Sequence, residues 1–299
     1  NGGLMVLAAD DPSMHSSQDE QDSRYYARFA QIPYVEPSNQ QEAYDLTHFA
    51  FELSERLHTP VLMRVTTRLA HSRAGVVTRE SRPQNEINLC GNPKQFILLP
   101  ANARRQYVEL IEKNVEFIKS SETSGNNKYI DGTDKSMGII ASGIAYNYLM
   151  ENYPDRNCPY PVLKITQYPL PTAMIEKMAD ECESILVAEE GYPLIEEQLR
   201  GISDRGIRVK GRLDGTLPRV GELNPNFLAV ALGMADPHGA PVPEIVAPRP
   251  PALCVGCPHI DSYNALNEAM EPYGKGKVFS DIGCYTLGAL PPFNAIYST

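Results

Sequence analysis

The first apolar positions form a continuous run, Leu4-Met5-Val6-Leu7-Ala8-Ala9, which stops at Asp10-Asp11-Pro12. An uninterrupted run of this length predicts a buried parallel strand. The acidic, polar stretch from Ser13 to Arg24 carries no apolar period and reads as a solvated surface loop. It also lies just past a strand's C-terminal end, which is where α/β domains bind ligands. Ser38-Asn39-Gln40-Gln41 has the form of a capping box. Ala43, Leu46, Ala50, Leu53 and Leu57 then recur at helical spacing, giving a helix with one buried face that ends at Thr59-Pro60. Val61–Thr66 is the next apolar run, so strand, helix and strand make a parallel α/β unit. His71-Ser72-Arg73 follows its end.

From Thr78 to Pro100 the pattern fades into Arg, Asn and Pro and reads as a crossing between domains. Val108, Ile111, Val115 and Ile118 mark an amphipathic helix, and 120–128 a loop. Strands are then expected at 138–143, 162–165, 185–188 and 207–209, with helices at 144–150, 172–182 and 194–199 between them. That alternation predicts a small doubly wound parallel sheet. The Ser142-Gly143 turn lacks both GxGxxG and a Walker lysine, so it does not read as a phosphate loop. Glu189-Glu190 at a strand end has the form of a catalytic pair, but the two carboxylates are expected rather to face solvent or to cap the helix near Pro193. Residues 224–251 hold Pro225, Pro237, Pro241, Pro243, Pro248, Pro250 and Pro251 with little apolar pattern, a linker. A helix over 262–270 and a strand at 277–279 open a third α/β segment.

Composition narrows the function. A net charge of -10 over 299 residues argues against nucleic acid, whose binders carry basic patches, and against anionic membrane surfaces. No apolar run reaches the roughly 18 residues of a membrane span, and the first residues have no basic n-region of a signal peptide. Six cysteines are too few for a disulfide scaffold of this length, which points to the cytoplasm. The opening Asn1-Gly2-Gly3 and the closing Ala295–Thr299 read as cuts through domains, so a piece of a longer protein is expected.

Three cysteines stand out: Cys254 and Cys257 in Cys254-Val255-Gly256-Cys257-Pro258-His259, and Cys284 in Ser280-Asp281-Ile282-Gly283-Cys284-Tyr285-Thr286. Thiols at C-x-x-C spacing can reach one metal centre. Four readings stay open on spacing alone. They are unassigned thiols, zinc with His259 as an awkward further ligand, a thioredoxin-type pair lacking its preceding strand, and a [4Fe-4S] cluster one thiolate short.

Several strings together resemble the alpha subunit of indolepyruvate:ferredoxin oxidoreductases. They are Ala9–Arg24, Met63-Arg64-Val65-Thr66-Thr67-Arg68 with His71-Ser72, Leu99-Pro100-Ala101-Asn102-Ala103 and Gly143-Ile144-Ala145-Tyr146-Asn147-Tyr148. Cys254–His259 and Asp281–Gly288 complete the set, in order along the chain. The resemblance implies thiamine-diphosphate chemistry with Mg2+: oxidative decarboxylation of aryl 2-oxo acids to an aryl-acetyl-CoA, with electrons passing through iron–sulfur clusters to ferredoxin. It implies a beta subunit as partner, coenzyme A as co-substrate and an oligomer. By the same resemblance His15, Ser16, Ser17 and Gln18 line the substrate pocket. Asp281, Ile282, Gly283 and Tyr285 face the cofactor. Cys254, Cys257 and Cys284 are three of four ligands of a cluster. Related pyruvate enzymes carry an arginine near the position of Ser17 to grip the substrate carboxylate, and a serine there leaves room for a bulkier side chain. The main anchors of thiamine diphosphate are expected outside the chain.

The fold class expected is α/β, with parallel-sheet thiamine-enzyme domains. Residues 1–88 would be the C-terminal part of a pyrimidine-binding domain and 89–128 a linker with a helix. Residues 129–223 would be a transketolase C-terminal-like domain, 224–251 a proline-rich linker and 252–299 the start of a diphosphate-binding domain. A pyruvate-type oxidoreductase and a non-catalytic assembly module are the alternatives.

Overall fold

The computed structural model describes residues 2–81, 83, 86, 99–202, 207–235, 239, 241–248, 251–274, 278–281 and 283–297, with backbone alone at 200–202. Two compact units divide the chain, Asn1–Pro237 and His238–Thr299.

In the first unit the elements run β1 (Met5–Asp10), α1 (Arg24–Ala30), β2 (Tyr34–Val35), α2 (Gln40–Leu57), β3 (Val61–Thr66), α3 (Thr67–His71), α4 (Pro100–Thr123) and β4 (Lys128–Ile130). Then come β5 (Gly138–Ser142), α5 (Ala145–Glu151), β6 (Val162–Ile165), β7 (Gln167–Tyr168), α6 (Thr172–Glu181), β8 (Ser184–Ala188), α7 (Leu194–Ile202), β9 (Arg208–Lys210) and α8 (Pro225–Ala231). They build two sheets, ordered β1-β3-β2-β7 and β4-β6-β5-β8-β9. β1 and β2 run parallel to β3. β5, β6, β8 and β9 are mutually parallel, and β4 is an antiparallel edge.

The second sheet is the doubly wound one expected. Ile140, Ile185 and Val187 pack with Leu163, Ile175 and Met178 on one face, and Ile139, Ala141, Leu186 and Ala188 with Leu149 and Leu228 on the other. Covering on both faces is why these strands read as unbroken apolar runs. What the alternation did not reveal is β7. Two residues after β6 the chain leaves this sheet and pairs antiparallel with β2, Tyr34 opposite Tyr168. Their rings stack at 4.2 Å, and the chain passing from β6 to β7 links the two sheets.

Five expectations are corrected. β1 is not buried: it is an edge strand, and Val6 and Leu7 are 44% and 60% exposed. The cap of α2 lies one residue later than the box predicts: Asn39 accepts from Glu42 N at 2.9 Å, and the Glu42 carboxylate reaches back to Ser38. That helix ends at Leu57, because His58 turns left-handed. Part of the loop expected at 120–128 is helix, since α4 continues to Thr123. The proline-rich linker contains α8, whose start is Asn224 capping Phe227 N with Pro225 in the first turn, a combination that favours helix initiation.

In the second unit, α9 (Pro258–Met270) carries a turn of 3-10 helix over Cys284–Ala289. Tyr263 joins them by donating its hydroxyl to Tyr285 O at 2.7 Å. Among the described residues of the expected strand at 277–279, Val278 O accepts from Tyr297 N and Phe279 forms an isolated bridge. No helix among the described residues is long and apolar enough to cross a membrane.

Candidate functional site

The C-terminal ends of β1, β2, β3 and β8 meet over a buried set of charges. Arg64 on β3 is fully buried. Its Nε donates to Asp10 Oδ2 and its Nη1 to Glu36 Oε1, both at 2.5 Å. Arg24, the first residue of α1, is equally buried and clamps Asp22 through Nε (2.8 Å) and Nη2 (2.5 Å). Its Nη1 reaches Glu189 Oε2 at 2.9 Å. Glu36 takes a further hydrogen bond from the Tyr168 hydroxyl at 2.9 Å. Burial costs each guanidinium, but the surrounding carboxylates outweigh it and hold both arginines above their ordinary pKa. Such charges are tolerated inside a protein only when paired and hydrogen-bonded. The Gly191 turn closes the network from above. A Cβ there would stand 2.7 Å from Asp22 Oδ2 and 2.8 Å from Arg64 Nη2, and its φ of +99° suits glycine.

Above this floor lies the polar loop after β1. The Asp11 carboxylate accepts from Ser16 N at 2.7 Å, Ser17 N at 3.0 Å and the Thr67 hydroxyl at 2.7 Å. Burial would raise its pKa, but these donors keep it far below the usual carboxylate range. Ser13 and Met14 take positive φ to bend the chain around it. At the loop's side Glu222 receives both Arg68, through a two-point guanidinium contact, and His15, Nε2 to Oε2 at 3.1 Å. Arg68 holds Glu222 below its ordinary pKa, so the carboxylate is ionised. An ionised carboxylate only accepts, so His15 donates to it from Nε2.

The four expected substrate residues are therefore contiguous and built into one loop: His15 fixed by Glu222, Ser16 and Ser17 fixed by Asp11, Gln18 exposed beside them. Sequence reasoning missed their supports. Arg24 and Arg64 stand only inside the strings that carry the resemblance, with no role assigned, and Glu36 is not singled out. Glu189 and Glu190 were expected at the surface and are each 1% exposed. The capping role is present for Glu189, which accepts from Ile195 N and Glu196 N at 3.0 Å. Ser142 is fully buried, in keeping with a turn that is not a phosphate loop.

In the second unit Cys257 N closes a turn on Cys254 O at 3.0 Å. Cys257 Sγ lies 3.1 Å from His259 Nδ1, and the His259 ring meets Tyr285 edge-on at 4.6 Å. The histidine that looked awkward from spacing thus reaches the thiol. Cys254 and Cys284 are exposed, and among the described residues no three His, Cys, Asp or Glu side chains are grouped to hold a metal. Asp281 and Gly283 are exposed, and Ile282 lies outside the described residues. Gly283 has φ +111°, and a Cβ placed there would meet nothing within 4 Å, so it forms an open backbone corner.

The fold is that of a 2-oxoacid:ferredoxin oxidoreductase. The 2-oxoglutarate:ferredoxin oxidoreductase from Magnetococcus marinus, solved with 2-oxoglutarate, coenzyme A and succinyl-CoA bound, matches with a TM-score of 0.52. The match covers 76% of this chain and 48% of that one at 11% identity. No protein-family model matches. Individual sequences are nearer. Indolepyruvate oxidoreductase subunit IorA of Methanothermobacter thermautotrophicus is 40% identical over 310 residues, 98% of this chain and 50% of that protein. The subunits of Thermococcus kodakarensis and Pyrococcus abyssi are 37% and 40% identical, each covering 100% of this chain and 49% of the relative. The chain belongs to the indolepyruvate oxidoreductase subunit IorA family, and it spans about half the length of the curated relatives it matches.

Proposed function

We propose that the complete subunit oxidatively decarboxylates aryl 2-oxo acids such as indolepyruvate. The acid and coenzyme A give an aryl-acetyl-CoA, carbon dioxide and a proton, and two electrons leave one at a time to ferredoxin. A beta subunit completes the enzyme, in the cytoplasm. The observation that carries this reading is the loop His15–Gln18, pinned by Asp11 below and Glu222 at its side. It presents polar side chains at the C-terminal end of a parallel strand, where α/β folds bind ligands. The likeness to subunit IorA supports the substrate class.

Thiamine diphosphate, when bound with Mg2+, supplies a thiazolium carbon that stores the electron pair left by decarboxylation. Asp281, Gly283 and Tyr285 are the residues of this chain that would lie against it, and the open corner at Gly283 fits a ligand group close to the backbone. The three cysteines do not fit a [4Fe-4S] cluster by themselves, because they are not gathered. No electron step is assigned to them. The chain's own contribution is positional. Glu222 holds His15 through Nε2, which leaves Nδ1 for substrate or water. Asp11 fixes the amides of Ser16 and Ser17, holding their hydroxyls at one place.

The test is turnover by the complete subunit with its partner, followed as aryl-pyruvate- and CoA-dependent ferredoxin reduction. Activity with indolepyruvate or phenylpyruvate is expected, and His15→Ala should lower it by about 100-fold. Turnover of pyruvate without aryl substrates would overturn the substrate class. No turnover of either would favour an assembly module.

A further inference from the structure

A second concave site lies away from the His15–Gln18 loop. It is a cleft of about 730 Å³ between the first turn of α2 and a wall built from β4, β6 and α5. That volume suits a small organic ligand rather than a single ion. Three cations converge on it from separate elements: Lys128 on β4, Lys164 on β6 and Arg156 in the turn after α5. Glu42 and Glu151 are its carboxylates, so three positive and two negative charges leave +1, on a chain whose net charge is -10.

These charges are not equivalent. Lys164 is buried and already matched, its ammonium bonded to Glu42 and, at 2.9 Å, to Ser38 Oγ. It also lies 4.5 Å from the Tyr146 ring centroid. Burial lowers the Lys164 pKa, and repulsion from Lys128 and Arg156 adds to this, so the three cations sit within electrostatic reach. Lys128 and Arg156 are exposed, and among the described residues neither forms an ion pair. Arg156 takes a left-handed φ of 54°, a conformation disfavoured for a long side chain and common at ligand-holding positions. Opposite the cations, Gln40 and Gln41 begin the 18-residue α2, and the positive end of its dipole favours an anion there. The remaining lining is polar and aromatic: Asn147, Tyr146 and Tyr153.

Two unmatched cations, a helix start and tyrosine rings in one cleft suit a ligand with both phosphates and a flat ring. We propose that this cleft binds a phosphorylated nucleotide, with Lys128 and Arg156 on the phosphates and the tyrosines along the base. The site stands independently of the reaction assigned above. Adenine nucleotides have the required chemistry, and coenzyme A, a substrate of that reaction, serves as the control.

The experiment is calorimetric titration of the complete subunit with adenosine 3′,5′-bisphosphate, ADP, coenzyme A, inorganic pyrophosphate and adenosine. The phosphorylated probes should bind, weaken with added salt and exceed adenosine by about tenfold or more. Loss of ADP affinity in the Lys128/Arg156 double variant below, with coenzyme A affinity kept, separates this cleft from the co-substrate site. Lys128→Gln with Arg156→Gln should cost about tenfold or more in affinity. Both residues are exposed, so the fold is retained. Arg156→Gly suits the left-handed backbone and should raise Tm while lowering affinity, whereas a merely structural arginine would not separate the two. Unchanged nucleotide affinity in the double variant, or no binding of any phosphorylated probe at millimolar concentration, overturns the site. Because binding is read directly, that failure is distinct from loss of 2-oxo acid turnover.

Discussion

Around β1, β3 and β8, two arginines at 0% exposure sit among buried carboxylates, Asp10, Asp22, Glu36 and Glu189, drawn from four separate segments. Around α9, Cys254 and Cys284 are exposed, and the buried apolar residues among those described are Tyr263 and Ala295. The first region fixes its polar groups by excluding water. In a low dielectric, each unpaired charge is so costly that one arrangement wins. The second has little interior and so little means of holding its thiols in a chosen geometry, since small segments bury too little apolar surface to be rigid alone. A site that must hold its shape before substrate arrives belongs on the first kind of scaffold, and the His15–Gln18 loop is built there.

The largest expected effect comes from opening the charge network. Arg64→Met leaves Asp10 and Glu36 buried without their guanidinium. It should cost about 3–5 kcal/mol in urea unfolding of the 299-residue chain. His259→Gln, which removes an exposed-region contact, should cost under about 1 kcal/mol. Similar losses for the two variants would show that water already reaches the network, and the contrast would fail.

Acidity sharpens the same contrast. Burial raises Glu189 from 4.5 to about 7, against the pull of Arg24 and two backbone amides. A raised carboxylate pKa means that the folded state holds the proton more tightly than the unfolded chain. The resulting stability is complete below about pH 4.5 and is lost as pH rises through 7. Asp22 is depressed to about 2 and Asp11 further still. Their contributions are intact above pH 4 and do not interfere. The stability advantage of wild type over Glu189→Gln should therefore shrink by roughly 3 kcal/mol between pH 4.5 and 8. A flat or rising difference would mean that Arg24 dominates and keeps Glu189 ionised.

Two left-handed glycines test crowding separately from backbone preference. Gly191→Ala meets Asp22 and Arg64 within 3 Å, whereas Gly256 has nothing within 4 Å. Both substitutions carry the left-handed penalty of about 1 kcal/mol. Only the first adds a clash, so a total of about 2–3 kcal/mol is expected at Gly191. Thermal unfolding of the pair should show that gap.

What the sequence made legible follows the same division. β5, β6 and β8 were readable because burial on both faces leaves an unbroken apolar run. The loop after Asp10-Asp11 was readable because a polar stretch follows such a run. The network beneath it was not, since a buried arginine looks like a surface one until its partner is known. Arg24 and Glu189 lie 165 positions apart. α1 was hidden for the same reason, its buried face beginning with Arg24 itself. β7 has two residues, too few for any period. The α8 start did carry a signal, Asn224-Pro225, masked by the prolines that follow.

The smallest expected effect is the most direct measure of the open region. Cys257→Ser exchanges a partly buried thiol for a hydroxyl beside His259, keeping its size and its capacity to hydrogen-bond. With little packing to disturb, it should change stability by less than about 0.5 kcal/mol. Thiol labelling of the folded 299-residue chain gives the complementary reading. Cys254 and Cys284 should react at once, while Cys182, packed in the core of the second sheet, should react only on unfolding. Protection at Cys254 and Cys284 to the level of Cys182 would mean that the segment around α9 has an interior of its own. The difference between the two regions would then be one of composition rather than of burial.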